Sequence, residues 1–268
     1  MIRDITVGQY YPVDSPLHRL DPRVKIIATL VYIVSLFLVQ SFVGYGFIFA
    51  ILAVTIALSR VPLRFMLRGL KSVVLIILFT AVLNLFSQKG GTPLVTLWRF
   101  TITTKGVTMA IKMCFRLVML IVGSSLLTLT TTPIRLTDGL EILLTPFQKI
   151  GVPSHEIAMM MTIALRFIPT LLDETDKIMK AQQARGADFT TGSLIQRGRA
   201  LVPILVPLFI SAFRRADELA MAMESRCYRG GEGRTRMNQM AYTRQDGLAY
   251  GLLVVYLAAV IGIRLWVG

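Results

Sequence analysis

The chain has 268 residues, of which 54% are hydrophobic and only 16% charged, with a mean hydropathy of +0.64. An average soluble domain carries about 25% charged residues, so the composition excludes a disordered chain and argues against an ordinary water-soluble enzyme; apolar residues clumped into long runs point to a membrane protein. Twenty-nine Lys and Arg against fifteen Asp and Glu leave a net charge of +14, which in a hydrophobic chain reads as basic cytoplasmic loops rather than as a nucleic-acid surface.

Residues 1–20 are polar, contain Pro12 and Pro16, and lack the apolar core of a signal peptide, so the spans themselves are expected to insert the chain. Apolar runs at Val24–Val39 and Phe42–Leu58, separated by Gln40 and Ser41, predict two spans joined by a tight turn. Arg60, Arg64, Arg68 and Lys71 follow with no acid among them, then a third span at 70–86. Ser87–Lys105 is a polar loop whose stretch Leu94–Thr103 fits a short hairpin. A fourth span covers 106–131 and a fifth covers Leu248–Val267. The spans divide the chain into an N-terminal membrane domain (1–132), a segment at 133–245 and a final span (246–268). The excess of positive charge near the N-terminus and at 60–71 places both on the cytoplasmic side. The N-terminus and 133–244 are therefore expected inside, and the C-terminus outside.

Lys112 and Arg116 lie one turn apart within the fourth run. An ionisable pair at membrane depth is a candidate carrier site; the competing reading places residues 105–116 in an outer interfacial turn. Cys114 and Cys227, and His18 and His155, are too isolated to build a disulfide framework or a metal site.

Residues 133–244 hold fifteen basic and eleven acidic residues, yet contain strongly apolar helical stretches. A helix is predicted from Ser154 to Arg185, with apolar positions at the 3.6-residue repeat, Asp173–Lys177 and Asp176–Lys180 pairs on its polar face, a bend at Pro169 and a stop at Gly186. A second is predicted from Leu201 to Arg226, with Pro203 and Pro207 bending or delaying its start and Arg214 placed to pair with Glu218. Ala212, Ala216 and Ala220 form a small-residue stripe that admits a close helix neighbour. Met159, Met160 and Met161 are adaptable packing residues, either plain core or a contact for a sliding partner. The two helices end alike, in Ala184-Arg185-Gly186 and Ser225-Arg226-Cys227. An arginine in a last turn is favoured by the helix dipole. Flanked by small residues, it is also an uncovered fork of five donors suited to a partner's carboxylates and carbonyls.

These endings resemble the paired arginine signatures of the transmembrane T component of energy-coupling factor (ECF) importers, a family of ABC-type vitamin and metal transporters. Ala181-Gln182-Gln183-Ala184-Arg185-Gly186 is similar to the first signature. Ser225-Arg226-Cys227 resembles the second, with Cys227 where Gly is usual. Leu17–Lys25 and Leu165-Arg166-Phe167-Ile168-Pro169 match as well. The resemblance implies an all-α polytopic membrane protein of about five spans with two long, crossed cytoplasmic coupling helices. It implies partnership with two cytoplasmic ATPases and a small substrate-binding S component. Arg185 and Arg226, with their neighbours, are then the ATPase contacts. ATP and magnesium would belong to the partners, and this chain would bind no cofactor. The absence of a G-x-x-x-x-G-K-S/T sequence agrees with that. The remaining alternatives are a self-contained carrier built on Lys112 and Arg116, and a membrane enzyme using His155 or Asp188.

Overall fold

The computed structural model describes residues 10–87, 93–97, 100–187, 189, 193–230 and 240–267. Asp188, named above, lies outside these residues. Two compact units are present: one formed by Gln9–Gly139 with Met240–Gly268, the other by Leu140–Gln239.

The first unit is built from helices with readable caps. Ser15 caps the one-turn α1 (Pro16–Arg19), its hydroxyl accepting from the His18 N–H. Asp21 caps α2 (Pro22–Leu38), with Pro22 in the first turn, where a missing N–H costs nothing. Ser41 caps α3 (Phe42–Ser59), which stops where Arg60 turns left-handed, at φ 56°. Then come α4 (Leu63–Ser87), an antiparallel hairpin of β1 (Pro93–Leu97) and β2 (Phe100–Thr103), and α5 (Thr104–Thr130), capped by Thr103. The hairpin falls where the loop composition placed it. Helix α5 runs unbroken through 105–116. Helix α6 (Pro133–Leu144) was not legible as an element. Helix α9 (Arg244–Val267) closes the chain.

The core of this unit gathers Leu36, Ile48, Leu52, Met66, Met119, Val122, Leu126, Tyr256 and Val260, drawn from α2, α3, α4, α5 and α9. Polar links cross it. Tyr32 donates to the Met119 carbonyl at 2.9 Å, and the Ser35 and Tyr256 hydroxyls are hydrogen-bonded to each other. A Cβ added at Gly123 would run into the Tyr32 ring. We expect Gly123→Ala to force this ring aside and lower stability by about 1–3 kcal/mol, read as a fall in unfolding temperature of the detergent-solubilised protein; an unchanged temperature would show that the α2–α5 contact repacks freely.

Outward faces are apolar. Leu75 is 78% exposed and Leu265 81%, as suits helices bathed in lipid rather than water. Among the described residues five helices are long and apolar enough to cross a membrane: α3, α4, α5, α9 and Ser154–Ala184 of the second unit. The chain is an all-α multi-pass membrane protein with one small hairpin. The five differ in one member from the five read in the sequence. Helix α2 has 17 residues, cut short by the Asp21-Pro22 start and by Val39, which is extended. The long helix of the second unit takes its place by length.

A buried polar knot ties the two ends of this unit together. Arg23 donates to both oxygens of Asp21, Nε to Oδ1 at 2.9 Å and Nη2 to Oδ2 at 2.7 Å, and lies over the Tyr242 ring at 3.8 Å. The Asp21 N–H donates to Asp246 Oδ1, and Asp246 Oδ2 accepts from Thr243 N–H and Oγ1. Lys25 donates to the His18 and Thr130 carbonyls. His18 Nε2 faces the Tyr11 carbonyl and therefore carries the proton, while Nδ1 accepts from Ser15. Burial holds this imidazole below its ordinary pKa.

Candidate functional site: two arginine-bearing helix ends

The second unit is dominated by α7 (Ser154–Ala184) and α8 (Leu194–Glu224), each of 31 residues. Helix α7 begins and ends where the sequence placed it, although Ser154 accepts from Gln148 rather than capping. Helix α8 begins seven residues earlier than expected. Ser193 and Gln196 form a reciprocal capping box, and Pro203 and Pro207 lie inside the helix instead of delaying it. Pro207 has no N–H to offer the Pro203 carbonyl four residues back; the Gln182 side chain of α7 reaches that carbonyl at 3.5 Å.

The helices run antiparallel where they meet. Glu174 on α7 faces Ser211 and Arg215 on α8, while Gln182, further along α7, faces Pro203, further back on α8. Ser211 donates to Glu174 Oε1, and Arg215 Nη2 donates to Oε2 at 2.9 Å. The expected pairs Asp173–Lys177, Asp176–Lys180 and Arg214–Glu218 are not among the ion pairs of the described residues. These side chains reach solvent, where such pairs are worth little.

Both helix ends have the same backbone form. At the first, Ala187 N–H bonds the Gln182 carbonyl, Gly186 N–H bonds Gln183, and Gly186 is left-handed at φ 87°. At the second, Tyr228 N–H bonds Met223, Cys227 N–H bonds Glu224, and Cys227 is left-handed at φ 58°. This pairing of a six-to-one with a five-to-two bond is the Schellman ending. It puts Arg185 and Arg226 at the same place, immediately before the left-handed residue. Ala184, Arg185, Gly186, Ser225, Arg226 and Cys227 are all exposed. Neither guanidinium makes a hydrogen bond or ion pair among the described residues. The two arginines stand at opposite ends of the pair. Arg226 is about 23 residues along α8 from Pro203, the residue beside the Arg185 end, or roughly 35 Å at 1.5 Å per residue.

Cys227 departs from the glycine that φ 58° favours. Cys227→Gly should raise stability by about 1 kcal/mol by removing the Cβ clash, measured as a higher unfolding temperature. A lower one would mean that the thiol makes a stabilising contact. Of the other packing candidates, Met159 and Ala212 are half-buried, while Met160, Met161, Ala216 and Ala220 are exposed. Met160, Met161, Ala216 and Ala220 thus face outward rather than filling a core of this unit.

The other site candidate is engaged within the first unit. Lys112 Nζ donates to the Gln40 carbonyl at 2.7 Å and sits over Phe42; Arg116 donates to the Tyr45 hydroxyl at 2.6 Å and to the Val39 carbonyl at 3.3 Å. The two cations staple α5 to the α2–α3 turn. His155 pairs with Glu141 at 3.0 Å.

The cobalt transport protein (CbiQ) family model matches residues 14–237. The chain is 59% identical to the energy-coupling factor transporter transmembrane protein EcfT of Clostridium kluyveri, over all of both chains. It is 56% identical to the EcfT of Ruminiclostridium cellulolyticum over 97% of both, and 47% identical to that of Listeria innocua over 99% of both.

Proposed function

The chain belongs to the CbiQ family of cobalt transport proteins, and from that premise we propose that it is the transmembrane coupling subunit of an ECF-type importer. In this reading Arg185 and Arg226 dock into two cytoplasmic ABC ATPases, one at each end of the α7–α8 pair. ATP binding draws the ATPases together. The crossed helices carry that movement to a small membrane S component, which binds a vitamin or other micronutrient and reorients in the bilayer. This chain is non-catalytic, and ATP and magnesium stay with the partners.

One observation carries the reading: two helix endings of the same backbone form, some 35 Å apart, each present an exposed arginine with no partner among the described residues. A helix end favours a cation in its last turn, but the dipole does not ask for the same backbone motif twice, nor for small residues on both flanks. An uncovered guanidinium at a rigid terminus suits capture by a partner's carboxylate or carbonyl groups. The apolar part of α7, 157–172, is about 24 Å long, short of the ~30 Å of hydrocarbon, and Asp173, Glu174, Asp176, Lys177 and Lys180 follow it. That favours a position on the cytoplasmic face over a span. Helices α2–α5 and α9 then cross the membrane, with the N-terminus inside and the C-terminus outside.

The test is to tag the chain in its native membrane, extract it gently and identify what accompanies it. Two ATPases with Walker sequences and a small hydrophobic protein are expected. A folded chain that emerges alone and mediates uptake by itself in liposomes would overturn the proposal.

A further inference from the structure

The two arginine ends share more than a backbone motif. Glu174 lies eleven residues before Arg185, and Arg215 lies eleven residues before Arg226. Eleven residues are about three full turns, roughly 16 Å, so each member of the Glu174–Arg215 pair lies the same distance before the arginine that ends its own helix. The crossing link is therefore equidistant from the two ends.

The link is also directional. Both oxygens of one carboxylate are engaged from α8 by residues four apart, Ser211 on Oε1 and Arg215 on Oε2. Two anchors one turn apart fix the rotation of α8 about its axis as well as its position against α7. Apolar packing adds the buried Ile204 but gives no direction of its own. Val202, Val206, Phe209, Ile210 and Phe213 on α8 are more than half exposed, and burial of apolar area is non-directional in any case. Among the described residues, the hydrogen bond from Gln182 to Pro203 that also joins the helices is long at 3.5 Å. Arg215 Nε is buried and has no hydrogen-bond partner among the described residues, which leaves one donor spare should the guanidinium turn while its hold on Glu174 persists.

We propose that Glu174 and Arg215, steadied by Ser211, form the pivot of the crossed helices: positioning residues that make displacement at Arg185 and at Arg226 a single concerted movement. This rests on the coupling reading given above. Without the pivot the helices still dock through their ends, but each end moves independently and the work of the ATPases is dissipated.

The experiment uses the complete transporter, with ATPases and S component, in proteoliposomes. Glu174→Gln and Arg215→Ala are expected to assemble normally and to hydrolyse ATP within about twofold of the parent, while uptake falls about tenfold, within the range that changes along a coupling element produce. The swap Glu174→Arg with Arg215→Glu is expected to restore uptake to within about threefold. Spin labels at Lys180 and Glu218, both exposed, in a Cys114→Ser, Cys227→Gly background, should give a broader inter-helix distance distribution in Glu174→Gln and a narrow one in the swap. Unchanged uptake in both single variants overturns the pivot. So does loss of assembly that the swap does not repair, since the pair would then serve folding alone. Failure of the coupling reading is distinguished by the ATPases: if they never accompany the parent chain, it is the reading that falls.

Discussion

Reversing both terminal charges, Arg185→Glu with Arg226→Glu, is expected to abolish association with the ATPases while leaving the chain folded and inserted. Both side chains are exposed and make no hydrogen bond or ion pair among the described residues, so neither change removes a described contact that holds this chain together. In a partner's groove the loss is large. Removing one member of a buried, hydrogen-bonded charge contact costs about 2–5 kcal/mol. At about 2 kcal/mol each, a single change weakens binding about thirtyfold and the pair about a thousandfold. Affinity isolation of the tagged double variant checks this. Normal recovery of both ATPases would remove the arginines from the interface.

The second large effect lies in the first unit. Arg23→Ala should cost about 3–5 kcal/mol, because it leaves the Asp21 carboxylate buried without its counter-charge; both side chains of this pair are under 10% exposed. Asp21 also presents its N–H to Asp246, so the damage spreads to the start of α9. The neighbouring pair Arg19–Asp14 makes the contrast. It has a shorter contact, 2.6 Å, but its side chains are 63% and 72% exposed, and Arg19→Ala should cost far less, because solvent screens the pair. The recovered amount and unfolding temperature of detergent-extracted protein decide the matter. Equal losses for the two variants would show that burial does not set the value of these pairs.

Much of this was legible in the sequence, and what was not has physical causes. The long apolar runs, the hairpin and the two arginine endings follow from length, turn chemistry and residue type. Helix α6 was missed because its apolar positions are diluted by Arg135, Asp138 and Glu141. The start of α8 was misplaced because the two prolines weighed more than the Ser193–Gln196 capping signature, although Gln182 compensates the carbonyl that Pro207 leaves free. Lys112 and Arg116 stayed between a membrane-depth pair and an outer interfacial turn because sequence cannot show that the α2–α3 turn offers them carbonyls. Glu174 was hidden for a similar reason. Helical spacing names partners on the same helix, and its partners are 37 and 41 residues away.

The most direct measurement of the coupling role is site-specific photo-crosslinking in living cells, with a benzophenone amino acid at Ala184 and, separately, at Ser225, both exposed beside the arginines. Crosslinks to nucleotide-binding subunits from both positions, and none from Leu252 on the outward face of α9, are the predicted result. If neither position captures a nucleotide-binding protein, or if both are labelled by a membrane-impermeant reagent from outside the cell, the arginine ends do not couple this chain to ATPases.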